Sequence, residues 1–162
     1  MPRISAAQAG GTNVLAFLDL IAWSEGTDND LQPTKDDGYD VVVGGGLFES
    51  YLDHPRRSVW LPRLKIHSTA AGRYQILSRY WDHYRVQLNL KGGFTPINQD
   101  LIALQLIREC KALCDIKAGR IEQAIHKCRS RWASLPGAGY GQHEHKLDKL
   151  IAAYSMAGGV LA

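Results

Sequence analysis

Apolar residues are densest in one early run. Every position from Val14 to Trp23 is apolar except Asp19. Asn13 reads as an N-cap ahead of it, and Gly26 stands where a residue just past a helix C-terminus is expected. The pattern predicts a buried helix over about 13–25, ending on Glu25. Before it, residues 1–12 read as a loose tail.

From Gly26 to about Thr69 the pattern changes. Gly, Asp and Pro accumulate, and the short β-type pieces Tyr39–Val43 and Ser58–Leu61 predict a small sheet between long loops. Long loops in a compact domain are commonly functional. Asp28, Asp30, Asp36, Asp37, Asp40 and Asp53 make this arm acidic.

Helical spacing returns after Thr69. Ile76/Leu77, Tyr80/Trp81 and Tyr84 mark one helix within about 70–88, broken by Gly92-Gly93. Thr95-Pro96 reads as an N-cap with proline at the first helical position. The helix that follows, to about Cys110, is apolar enough to be the central core helix. Shorter helices are expected over 120–128 and about 142–156. These elements make one domain over 13–162, with a β-containing lobe at 26–69 and a helical lobe at 70–158.

Composition supports an ordinary globular domain. The chain has 162 residues, 45% of them apolar, and a formal charge of +3. That charge is low for a nucleic-acid binder, yet it favours approach to an anionic polymer. No apolar run reaches the ~20 residues of a membrane span. The N-terminus does not read as a secretory signal. Cys110, Cys114 and Cys128 are too few and odd in number for a disulfide scaffold.

Glu25 carries the candidate chemistry. A carboxyl group leaving an apolar wall has its charged form disfavoured, so it stays protonated and can act as a general acid near neutral pH. The same position also suits a solvated helix-end glutamate, and the local pattern leaves both readings open. The glycines of Pro136–Gln142 lack the Lys-Ser/Thr of a phosphate loop. They suit an aromatic ring, Tyr140, held close to a ligand. His143 and His145 are two apart, face differently on a helix, and read as surface histidines. No Gly-x-Ser-x-Gly elbow is present. Trp81 and Trp132 are assigned to the core, and Tyr74 and Tyr140 are left open.

Five segments make the reading specific: Ala22–Asn29, Gly38–Val41, Asp53–Arg56, Ala71–Gln75 and Trp132–Gln142. In order, over about residues 14–158, they resemble the lambdoid phage endolysins, lytic transglycosylases of the lysozyme-like superfamily. The resemblance implies an α+β, lysozyme-like fold with a mainly helical lobe and a small β-sheet lobe flanking a substrate cleft. It implies cleavage of the β-1,4 bond between N-acetylmuramic acid and N-acetylglucosamine in peptidoglycan, with 1,6-anhydro ends.

Glu25 matches the family's catalytic acid, and Arg73-Tyr74-Gln75 resembles its Gln-containing cleft motif. Tyr39, Asp40, Tyr74, Gln75, Tyr140 and Gln142 are the expected substrate-binding residues. No metal or organic cofactor is expected. A monomer is expected, acting on glycan strands without nucleic acid or stable membrane insertion. It would accumulate in the host cytoplasm and reach the periplasm through a holin-type membrane permeabiliser. Two other readings stand beside this one: a hydrolytic lysozyme with Asp28 or Asp40 as second carboxylate, and a wall-binding module without catalysis.

Overall fold

The computed structural model describes residues 1–141 and 143–162. Its elements are helices α1 (Ala6–Ala9) and α2 (Thr12–Ser24), strands β1 (Val41–Val42), β2 (Gly46–Leu47), β3 (Val59–Leu61) and β4 (Ile66–Ser68), then helices α3 (Ser78–Gln87), α4 (Pro96–Glu109), α5 (Leu113–Lys117), α6 (Ile121–Cys128) and α7 (Leu147–Met156). The fold is α+β, with the strands confined to one lobe.

Helix α2 is the centre of the helical lobe. It is apolar on nearly all sides, and Val14, Ala16, Phe17, Leu18, Leu20, Ile21 and Ala22 are buried, as expected of a helix enclosed by its neighbours. Helices α1, α4, α5 and α7 pack on it. The expectation that α4 would be the central helix is corrected on this point. Its first turns bury the polar residues Asn98, Gln99 and Asp100, which need partners from other segments. Thr95 caps α4 through Asn98 N–H at 3.3 Å, with Pro96 behind it, as expected.

Asp100 is the anchor of the N-terminal segment. It is fully buried, and its Oδ2 accepts hydrogen bonds from the N–H groups of Arg3 (2.6 Å) and Ile4 (2.9 Å). Its Oδ1 accepts from the hydroxyls of Tyr39 and Tyr74, each at 2.6 Å. Residues 1–12 are therefore not a loose tail. Ser5 caps α1 in a reciprocal box with Gln8, and Ile4 and Ala9 are buried. Asn13 does not cap α2. Its side chain instead ties Ile116 O and the Val160 backbone near the C-terminus.

The β lobe holds two separate antiparallel hairpins, β1–β2 and β3–β4, rather than one sheet. The helix expected from residue 70 begins only at Ser78. Ala71 and Ile76 pair as an antiparallel bridge around a tight loop, Gly72–Gln75. Gly72 has φ +76° there, and a Cβ would run into the Gln99 side chain. The loop turns the Arg73 side chain inward, fully buried, with Nη2 2.6 Å from Asp19 and Nη1 2.7 Å from Asp28. The same Nη1 donates to Asp37 O. A buried charge needs such pairing, and that pairing overrides the helical periodicity.

Candidate active site

Three pieces of chain enclose a cleft of about 760 Å³: the β3–β4 hairpin, the stretch Thr69–Tyr80, and the loop from Ser130 to Tyr140. Glu25 lies on its wall at the end of α2. Its position follows from the helix stop. Gly26 N–H bonds Trp23 O at 3.1 Å, and Thr27 N–H bonds Ala22 O at 3.1 Å. This paired closure requires a left-handed residue at Gly26, whose φ is +74°. The chain then leaves the helix within one residue and Glu25 is held at the edge of the cleft. Thr27 Oγ1 donates to Arg73 O at 2.6 Å, fixing that exit to the buried arginine loop.

Glu25 is half-buried, and burial pushes its carboxyl up to about 7 from 4.5. Hydrogen bonding from Ser134, through both side chain and backbone, opposes that rise and is the smaller influence. Ser134 Oγ lies 2.6 Å from Glu25 Oε1 and 3.0 Å from Ser24 Oγ. The Ser134 loop is itself pinned to α2. His145 N–H donates to Ser134 O at 3.0 Å, while His145 Nε2 contacts Ser24 O at 3.1 Å and its ring packs on Trp23 at 4.7 Å. His145 is therefore a half-buried strut, not the surface histidine expected.

The expected substrate residues divide. Gln75 and Tyr140 line the cleft. Tyr140 is 53% exposed, and its hydroxyl donates to Ser130 O at 3.1 Å. The Gly-rich loop that presents it is closed from within, since Glu144 accepts from Gly137 N–H (2.8 Å) and Gly139 N–H (2.9 Å). Tyr74 touches the cleft but is buried, with its hydroxyl spent on Asp100. Tyr39 and Asp40 are corrected. Both are buried and neither is among the cleft residues. Tyr39 bonds Asp100, and Asp40 accepts from Thr34 Oγ1 (2.5 Å) and Lys35 N–H (2.9 Å). Gln142 lies outside the described residues.

Asp28 is held by Arg73 and Asp40 by Thr34 and Lys35, and neither is among the residues lining the cleft. Among the described residues lining the cleft, Glu25 is the one carboxylic acid. Around it stand hydroxyl and amide groups from Ser68, Thr69, Gln75, Ser78 and Ser130, with aromatic surface from Tyr80 and Tyr140. A cleft lined by polar groups and aromatic rings suits sugars, which offer hydroxyls and apolar C–H faces. Ser134 and His145 were not identified as site residues from sequence. Ser134 stood inside a resembling segment, Trp132–Gln142, but nothing local signals that its hydroxyl reaches Glu25.

Comparison with known proteins agrees with this architecture. The endolysin family model matches residues 15–161. The endolysin of Escherichia phage lambda is 61% identical over 90% of this chain and 91% of its own. The endolysin of Escherichia phage P2 is 52% identical over the whole of both chains. Among solved structures, bacteriophage lambda lysozyme complexed with a chitohexasaccharide superposes with a TM-score of 0.89, at 55% identity over the whole of both chains.

Proposed function

The chain belongs to the endolysin family, and from that premise we propose that it is a phage peptidoglycan lytic transglycosylase. It cleaves the β-1,4 bond between N-acetylmuramic acid and N-acetylglucosamine and leaves a 1,6-anhydromuramic end. The observation that carries this reading is a single carboxylic acid, poised at about 7, in a cleft whose described lining has no second carboxylate.

Ordinary glycosidases use two carboxyl groups, one as acid and one as nucleophile or base. One suffices when the nucleophile belongs to the substrate. Glu25, protonated, gives its proton to the leaving glycosidic oxygen as the C1–O bond breaks. The cleft and the sugar's N-acetyl group support the positive charge that develops at C1. The C6 hydroxyl of the same muramic residue then attacks C1, and its proton passes to the Glu25 carboxylate, restoring the acid. Holding C6 beside C1 replaces a bimolecular attack by water, a proximity gain of up to several kcal/mol. No step calls on a metal or cofactor. That the lambda lysozyme was solved in complex with a chitohexasaccharide supports a glycan as the ligand of this chain.

The hydrolytic alternative draws on the lysozyme name of the solved relatives. It needs a base to position water, and Asp28 and Asp40 are engaged elsewhere. No helix of the described residues is long and apolar enough to cross a membrane. By the family resemblance, access to the wall is assigned to a separate holin-type permeabiliser, with this chain acting as a monomer. Glu25→Gln tests the catalytic assignment. The variant is expected to fold, to bind glycan and to lose lysis of permeabilised cells; near-normal lysis by it would overturn the assignment.

A further inference from the structure

The cleft carries more positive charge than cleavage of a neutral sugar chain requires. Beside Glu25, its described lining includes Arg79, Arg131 and His67. The acidic residues of the β lobe do not neutralise them. Asp28, Asp36 and Asp53 are paired with Arg73, Arg3 and Arg56.

Arg79 is the most available of these cations. It stands exposed in the first turn of α3, its guanidinium stacked over the Tyr80 ring at 5.2 Å from the centroid. It makes no ion pair among the described residues, whereas Arg131 lies 3.1 Å from Glu109. Stacking on an aromatic face restrains the guanidinium and leaves its in-plane N–H fork free to meet a planar anion. A carboxylate is the natural match for that fork. The cleft lining next to Arg79 in sequence is polar too, with Ser78 Oγ and Thr69 Oγ1 hydrogen-bonded to each other at 3.0 Å.

The sugars of a peptidoglycan strand are uncharged apart from their branches. Their carboxylates lie on the peptides carried by the muramic residues. We propose that Arg79 binds a carboxylate of the muramic peptide branch and makes the cleft selective for strands with acidic peptides. This inference rests on the peptidoglycan reading given above and adds a specificity determinant to it. Arg79 takes no part in proton transfer, so its contribution is to binding of charged strands and not to the reaction at C1.

The test compares two substrates differing only in charge: native peptidoglycan strands, and strands whose peptide carboxylates have been converted to amides. The protein is expected to cleave native strands with a kcat/KM roughly twofold to fivefold higher, the scale of one exposed ion pair. That preference should shrink as salt is raised, since exposed charges are screened. Arg79→Gln should lose it, cleaving both substrates at one rate, with an unchanged thermal melt reporting an intact fold. Arg79→Lys should keep part of it. Equal rates on both substrates for the parent, or a preference retained by Arg79→Gln, would overturn the proposal while leaving the peptidoglycan reading in place. Cleavage of neither substrate by the parent would instead overturn that underlying reading, and this proposal with it.

Discussion

Ser134 Oγ meets Glu25 Oε1 at 2.6 Å across 109 residues of sequence. The contact serves both protonation states of the acid. When Glu25 is ionised, the Ser134 hydroxyl donates to it. When Glu25 is protonated, its own O–H can donate to Ser134 Oγ, and the Ser134 hydrogen turns to Ser24 Oγ at 3.0 Å. Ser24 in turn donates to Ile21 O at 2.9 Å. A hydroxyl both donates and accepts, so the acid keeps its orientation through the proton transfers.

Ser134→Ala should therefore lower kcat with little change in KM. The expected loss is roughly tenfold, the worth of one hydrogen bond to a charged group. Because the Ser134 bond opposes the rise in the Glu25 pKa, the alkaline limb of the activity profile should move to higher pH. Ser134→Thr, which keeps the hydroxyl, should restore most of both. Steady-state rates over a pH series check the three together.

The parent's pH profile follows from the same group. Glu25 must be protonated to act, and it titrates at about 7. Activity should be level on the acid side of that value and fall tenfold per unit above it. A profile of kcat/KM against pH, at constant ionic strength, tests this.

Glu25 also has a cost in stability. Its carboxyl titrates at about 7 when folded and near 4.5 when unfolded. Below 4.5 it is protonated in both states and costs nothing. Between 4.5 and 7 the unfolded chain ionises while the folded one still holds its proton, so stability falls over that range, and the loss is complete once pH passes 7. Glu25→Gln should match the parent near pH 4 and exceed it at pH 8, by at most about 3 kcal/mol. Thermal melts of both proteins at the two pH values check the difference.

Much of this was legible in the sequence, and the parts that were not have physical causes. The apolar run before Glu25 and the glycine after it specify a buried helix with a sharp stop, and both are local signals. Thr95-Pro96 announces α4 for the same reason. The tight loop Gly72–Gln75 was not legible, because helical spacing continues through it. What displaces the helix there is the pairing of Arg73 with Asp19 and Asp28, distant in sequence. Tyr39 and Asp40 looked like cleft residues because they sit in a resembling segment, but buried partners hold both of them. Ser134 and His145 act through contacts more than 100 residues away along the chain, beyond any local pattern.

Asp100 separates structural tyrosines from substrate-binding ones. Asp100→Ala leaves two buried hydroxyls and two backbone N–H groups without their acceptor. The expected loss is about 3–5 kcal/mol, read by urea denaturation. Tyr39→Phe should lower stability by about 1.5–3 kcal/mol, mainly for the hydrogen bond to the Asp100 carboxylate, and leave the KM for glycan strands unchanged. A raised KM with unchanged stability would return Tyr39 to the cleft.

Mass spectrometry of the fragments released from purified peptidoglycan tests the central claim most directly. A single acid, Glu25, with the substrate's own C6 hydroxyl as nucleophile, predicts 1,6-anhydromuramic ends and no reducing muramic acid. Reducing ends would contradict it, since they require water as the nucleophile and a second group to position it.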